Sequence, residues 1–181
     1  IKLFRKLGIP IESIRKMESG EQQLEALAAR FESIDFDAIY SSPLTRARQT
    51  AEACNRRLKL PLNIDERLIE INGGVFEGVR WAELPERFPE QAKLWDAQPW
   101  LFHPENGEAM TEVRERISNA ILDIAAANEG KTVVIASHGC AIRNLICWAK
   151  NWPIERLNDV DWWDNTAMGV IVVTDGKPAL L

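Results

Sequence analysis

Three side chains in this 181-residue sequence have the type and setting to handle a phosphorylated anion, and a fourth stands beside them. His138 ends a short apolar, β-branched run, residues 132–136, in Ser137-His138-Gly139, and a helical pattern starts at once. A strand that delivers an imidazole to a helix mouth sets it beside free backbone N–H groups and the positive end of the helix dipole, which favour an anion. The competing reading is a core histidine satisfied by a backbone carbonyl. Arg46 lies one turn into another helix pattern, in Tyr40-Ser41-Ser42-Pro43-Leu44-Thr45-Arg46-Ala47-Arg48-Gln49-Thr50-Ala51. A guanidinium there can grip a phosphate through two N–H groups. The alternative is a surface arginine paired with Glu52 or Asp37, and Arg48 projects to a different face. Glu70 is flanked by Ile69 and Ile71 and followed by Gly73 and Gly74. A carboxyl partly out of water can hold a proton for a leaving group, unless it is one exposed acid among Glu66 and Glu77. Cys140 follows the Ser-His-Gly turn at a helix N-terminus, where a thiol can be activated, but no second cysteine is close in sequence. His103, in a proline-bounded loop, is given no role. Placed after strands of one sheet, two cationic groups and an acid are what phosphoryl transfer needs.

The elements that must position these groups alternate. Helix patterns are expected from Gly20 (Leu24, Leu27, Ala28 and Phe31 on one face), over residues 44–58, in one or two pieces over 81–95 broken at Pro89, over 110–128, and over 140–150. Strands are expected over 1–4, 36–40, 62–64, 132–136 and 166–174, the last turning through Asp175-Gly176 into 178–181. Residues 5–19 are read as loop and 153–157 as a single helical turn. Ser41-Ser42-Pro43 reads as a helix start, with serine as cap and proline at the first helical position. Asn106-Gly107-Glu108 reads as the cap of the longest helix. The alternation predicts one α/β domain over residues 1–181, a three-layer α/β/α sandwich whose mostly parallel sheet has an antiparallel edge strand. Trp81, Trp95, Trp100, Phe102 and His103 are expected to form a lid over the pocket or to pack. Trp152, Trp162 and Trp163 are expected to pack a surface corner.

The bulk composition narrows the class. A net charge of −5 without a Lys/Arg block argues against nucleic acid as a partner, while leaving room for a locally basic site. No apolar run reaches the length of a membrane span and no signal peptide is visible, so no membrane is expected. Three cysteines without a C-x-x-C pattern suggest neither disulfides nor a zinc site, and fit a cytoplasmic location. No metal-ligand spacing is present and no cofactor is expected. A homodimer is among the states left open.

Five blocks in order resemble the histidine phosphatase family, which includes phosphoglycerate mutases and α-ribazole phosphatase. They are the 40–51 segment, Leu68 to Gly78 (L-x-E-x-x-x-G-x-x-E-G), Gly107 to Val113 (G-E-S-x-x-x-V, with Ala109 in place of serine), Ser137-His138-Gly139, and Asn165-Thr166. The resemblance implies Arg46 and Gly139 as phosphate-binding, Glu70 as proton donor, and His138 as the imidazole that steadies phosphorus. It implies hydrolysis of a small phosphorylated substrate through a phosphohistidine, without metal. The alternatives are a catalytically inactive member that binds a phosphorylated ligand or partner, and phosphoryl transfer of the mutase type. The small phosphatases, α-ribazole phosphatase among them, are the nearer match, because the long insertions of mutases are missing. The family's nucleophile stands in an N-terminal Arg-His-Gly, and this sequence has no histidine before His103. In one register Lys6 stands where the histidine should, with Leu7 intruding before Gly8. In the preferred register Arg5-Lys6-Leu7-Gly8 is the loop after the motif. The Arg-His-Gly segment is then missing between Phe4 and Arg5 or lies outside these residues. An opening Ile1 in place of Met and the short spacing to Gly20 favour that second register.

Overall fold

The computed structural model describes residues 20–181. The strand expected over 1–4, the loop over 5–19 and both readings of Arg5 and Lys6 lie outside them. The described elements are α1 (Gly20–Phe31), β1 (Ala38–Ser41), α2 (Thr45–Cys54), β2 (Leu62–Ile64), α3 (Leu84–Arg87), α4 (Pro89–Ala97), α5 (Met110–Ala127), β3 (Val133–Ala136), α6 (Gly139–Ala149), β4 (Ile171–Thr174) and β5 (Lys177–Leu180). Short 3-10 turns join several of them.

β1 is the centre of a three-stranded parallel sheet of order β2-β1-β3, with Ile39 opposite Leu62 and Ser41 opposite Ala136. Successive side chains of a strand point to opposite faces, and both faces here are apolar. Ile39, Val134 and Ala136 meet Leu27 and Phe31 of α1 and Ala51 and Cys54 of α2. Ala38, Tyr40, Val133 and Ile135 meet Val113, Ile117 and Ile121 of α5 and Ala141 and Leu145 of α6. Those two covered faces are the three-layer α/β/α sandwich expected. Each fully buried side chain such as Leu68, Ile117 or Phe102 contributes about 2 kcal/mol by leaving water.

The antiparallel element is a separate two-stranded sheet, β4 with β5, that leans on the second core through Ile171 and Val173. It turns at Asp175 and Gly176, both at positive φ, as an Asp-Gly hairpin turn requires. The late strand is shorter than expected and starts at Ile171, not Thr166, whose φ of 60° is not that of a strand. α2 likewise stops at Cys54 and not near Leu58. Asn55 ends it by bonding Leu60 through both its amide atoms (2.7 and 2.9 Å), and Lys59 turns the chain at φ 52°. The break at Pro89 is present, since proline disfavours helical φ/ψ at the preceding Phe88. Neither expected cap survives. Leu44 precedes α2 in an extended conformation with no side-chain cap, and Ala109 precedes α5 with its N–H donated to Glu112 Oε2 (2.6 Å). Ser42 and Glu108 are used elsewhere. No helix among the described residues is long and apolar enough to cross a membrane.

Candidate active site

Strands β1, β2 and β3 run parallel, so their carboxyl ends open on one side, where ligands of α/β sheets bind. The register brings the next residues together. Ser41 pairs with Ala136, Ser42 N–H donates to Ala136 O (3.0 Å), and Ser42 Oγ lies 2.7 Å from His138 Nε2. From the first turn of α2, Arg46 Nε donates to His138 Nδ1 at 3.1 Å. Arg46 is thus no partner of Asp37, whose carboxylate accepts from Thr132 N–H (2.8 Å). His138 is 6% exposed, and its pKa is pulled from 6.5 to about 4, first by burial and then by the charges of Arg46 and Arg116. The ring is neutral near pH 7.

Glu70 follows β2 and the 3-10 turn Glu66–Leu68, whose Leu68 is fully buried and fixes the loop. Its Oε1 accepts from the N–H groups of Ile71 (3.0 Å) and Ala141 (3.2 Å), and its Oε2 from Cys140 N–H (3.2 Å). The mouth of α6 was expected to face a ligand anion; in this structure two of its N–H groups hold the Glu70 carboxylate. Gly139 opens that helix. A Cβ there would lie 3.1 Å from Trp162 Cζ3 and 3.9 Å from Glu70 Oε2, so glycine admits the indole edge across the helix mouth. Trp162 also lies over the buried Arg143 guanidinium (4.2 Å) and stacks on Trp95 (6.1 Å), which touches Trp81 and Phe102. Phe102 is core, and His103 is exposed at the loop surface.

The loop carrying Glu70 is held by two residues to which the sequence reading gave no such part. Arg116, on α5, donates to the carbonyls of Arg67 (2.8 Å), Ile69 (2.7 Å) and Glu70 (3.2 Å), and grips Glu108 at 2.7 and 3.0 Å. Glu108 Oε2 also accepts from Asn72 N–H (2.8 Å). Burial pushes the Glu108 carboxyl up, but Arg116 and the Asn72 N–H outweigh it and hold the group below the usual carboxylate range. Glycines make this joint possible. Gly74 sits at φ 52°, where a Cβ would come within 2.1 Å of Glu105 O, and at Gly107 one would come within 2.6 Å of Asn72 O. The available signal was spacing, since Val113, Arg116, Ile117 and Ala120 share one face of α5.

Cys140 is no nucleophile candidate in this setting. It is buried with its Sγ 3.4 Å from Met110 Sδ, and burial, aided by Glu70, pushes the thiol up to about 12. A cleft of about 890 Å³ takes in Arg46, Glu70, His138, Gly139 and Trp163 and continues along β3 and β4. Among the described residues no group of three His, Cys, Asp or Glu side chains is placed to hold a metal ion. Arg46, Glu70 and His138 thus share one cleft, a guanidinium against an imidazole with a carboxylate at the adjoining helix mouth, and Ser42 is buried behind the imidazole.

The family model for the histidine phosphatase superfamily (branch 1) matches residues 17–181. The chain belongs to the histidine phosphatase superfamily. Phosphoserine phosphatase 1 of Hydrogenobacter thermophilus is 30% identical over 168 residues, which cover 91% of this chain and 77% of that one. Some mycobacterial relatives are longer, and the chain spans 30% of their length. The solved structure of YhfR from Bacillus stearothermophilus matches with a TM-score of 0.85 at 31% identity, covering 91% of this chain and 81% of that one. The α-ribazole phosphatase of Shigella flexneri matches with a TM-score of 0.78 over the same shares at 22% identity, a likeness of fold alone.

Proposed function

We propose that this site hydrolyses a small phosphomonoester through a phosphohistidine. The observation that carries the reading is the convergence of Arg46 and His138 at 3.1 Å beside the helix mouth that holds Glu70. In the proposed reaction an imidazole nitrogen attacks phosphorus in line as the P–O ester bond breaks. Glu70 gives its proton to the leaving alkoxide, so the leaving group departs as an alcohol. Water then attacks the P–N bond, Glu70 takes its proton, and inorganic phosphate is released. Arg46, His138 and the backbone N–H of Gly139 stabilise the charge on the equatorial oxygens. The attacking histidine is not His103, which is exposed at the loop surface, and His138 has both ring nitrogens engaged. The resemblance to the family implies an attacking histidine in an Arg-His-Gly segment, which is not among these 181 residues.

The name of the Hydrogenobacter relative supports a small phosphorylated metabolite as substrate. Three free, buried cysteines fit the cytoplasm. One observation favours a second reading, a binder without turnover: His138 is the only imidazole at the site among the described residues. The experiment is turnover of phenyl phosphate by the full-length protein, with acid-quenched samples assayed for acid-labile phosphohistidine. Phosphate release that is abolished in Glu70→Gln and His138→Ala supports hydrolysis. Tight phosphate binding without turnover or phosphohistidine supports the binder.

A further inference from the structure

The hydrogen bonds of His138 fix which nitrogen carries its proton. Arginine stays protonated and its Nε bears one hydrogen, so at 3.1 Å from Nδ1 it can only donate. Nδ1 must therefore offer a lone pair. The proton of the neutral ring then belongs to Nε2, and the atom within reach there is Ser42 Oγ at 2.7 Å. The opposite assignment, with the serine hydroxyl donating to a bare Nε2, would set an Nδ1 proton against the Arg46 N–H.

Ser42 is built for this position rather than for capping. It is fully buried, and its N–H is tied to Ala136 O (3.0 Å) across the β1–β3 register. Its Oγ also accepts from Leu44 N–H (3.3 Å). Strand pairing thus sets the distance between the hydroxyl and the ring.

We propose that Ser42 is a positioning residue for His138, whose Nε2 proton it accepts, so that Nδ1 is held facing Arg46 and the phosphoryl site. This rests on the phosphoryl-transfer reading above. A phosphoryl oxygen that approaches on this side displaces the Arg46–Nδ1 bond, and Nδ1 can donate to it only after taking up a proton from solvent, the ring becoming an imidazolium whose Nε2 proton Ser42 still accepts. Without the serine acceptor the ring can turn over or shift tautomer, and fewer molecules present Nδ1 to that oxygen. The depressed pKa of His138 agrees with a neutral ring in the ligand-free protein.

The test is a multiple-bond 1H–15N correlation spectrum of the imidazoles in the full chain at neutral pH. His103 and His138 contribute from this sequence beside the proposed nucleophile, and His103→Gln and His138→Gln assign their resonances. The Nε2–H tautomer is expected for His138 in the wild type and in Ser42→Thr, and a mixture with Nδ1–H in Ser42→Ala. In the same variants kcat with phenyl phosphate should fall about tenfold in Ser42→Ala and recover in Ser42→Thr, the size of one lost hydrogen bond. An Nδ1–H ring in the wild type, or a tautomer indifferent to Ser42→Ala, overturns the proposal. Should Ser42→Ala not fold, an Nδ1–H ring in the wild type still overturns the proposal. The spectrum needs no turnover. An inactive protein with the Nε2–H ring overturns the phosphatase reading while supporting the placement by Ser42. An active protein with the Nδ1–H ring overturns the placement alone.

Discussion

Replacing Arg116 by methionine keeps an unbranched stem and removes five donated hydrogen bonds, two to Glu108 and three to the carbonyls of Arg67, Ile69 and Glu70. The pair is sheltered: the Arg116 and Glu108 side chains are 16% and 23% exposed. A hydrogen bond to a charged group contributes about 1.5–3 kcal/mol, and breaking a fully buried pair costs about 3–5 kcal/mol. Residual access of water to Glu108 and its remaining bond to Asn72 N–H lower the cost, and the expected loss is about 3 kcal/mol. Urea unfolding, compared at unchanged m, measures it. Because the loop held is the one bearing Glu70, kcat with phenyl phosphate should fall by about tenfold or more. Glu108→Gln and the double variant complete the cycle. The two side chains act as one unit, so a coupling of about 1 kcal/mol or more is expected. A loss below about 1 kcal/mol, or strict additivity, would refute the clamp.

Two further outcomes follow from burial. The His138 pKa is 6.5 when unfolded and about 4 in the fold, so the unfolded chain takes up that proton first. The stability it contributes is complete above about pH 6.5 and is lost as pH falls through about 4. The displacement converts to about 3 kcal/mol at most. Thermal or urea unfolding between these pH values should show that slope in the wild type and a flatter one in His138→Gln, while Glu108 and Asp65, lowered from 4.5 and 3.8, add slope only at the acid end of the window and below it. Cys54 and Cys140, both buried and pushed up to about 12, should resist iodoacetamide at pH 8 in the native protein and react at once in urea. Rapid native alkylation of Cys140, or loss of turnover in Cys140→Ala, would contradict its inert placement.

The sequence made some of this legible because local pattern and tertiary role coincide. Val133 to Ala136 is apolar on both faces of a buried parallel strand, and the Ser-His-Gly that ends it must open at the ligand edge. Glu70 was different. Its flanking isoleucines and following glycines put it only slightly ahead of Glu66 and Glu77, and the family resemblance widened that margin. Ser42 was misread because Ser-Ser-Pro is a sound helix-start pattern, whereas the hydroxyl's partner, His138, is 96 residues away along the chain. The long-range register of β1 on β3 decides that contact, and no local propensity encodes it. Arg116 was hidden in the same way: within α5 it is one more charged residue beside an apolar stripe, and its five bonds exist only once the Glu70 loop docks. The helix mouth of α6 was read as a site for a ligand anion, and its occupant in this structure is a carboxylate from the chain itself.

Calorimetric titration with orthovanadate asks whether a phosphoryl group is received against Arg46 and His138. Saturable one-site binding to the wild type is expected, weakened about thirtyfold or more in Arg46→Ala by loss of charge-assisted hydrogen bonds of about 2 kcal/mol or more. Binding should also displace the His138 ring resonances while leaving those of His103 in place. No binding, or binding indifferent to Arg46→Ala and silent at His138, would contradict it.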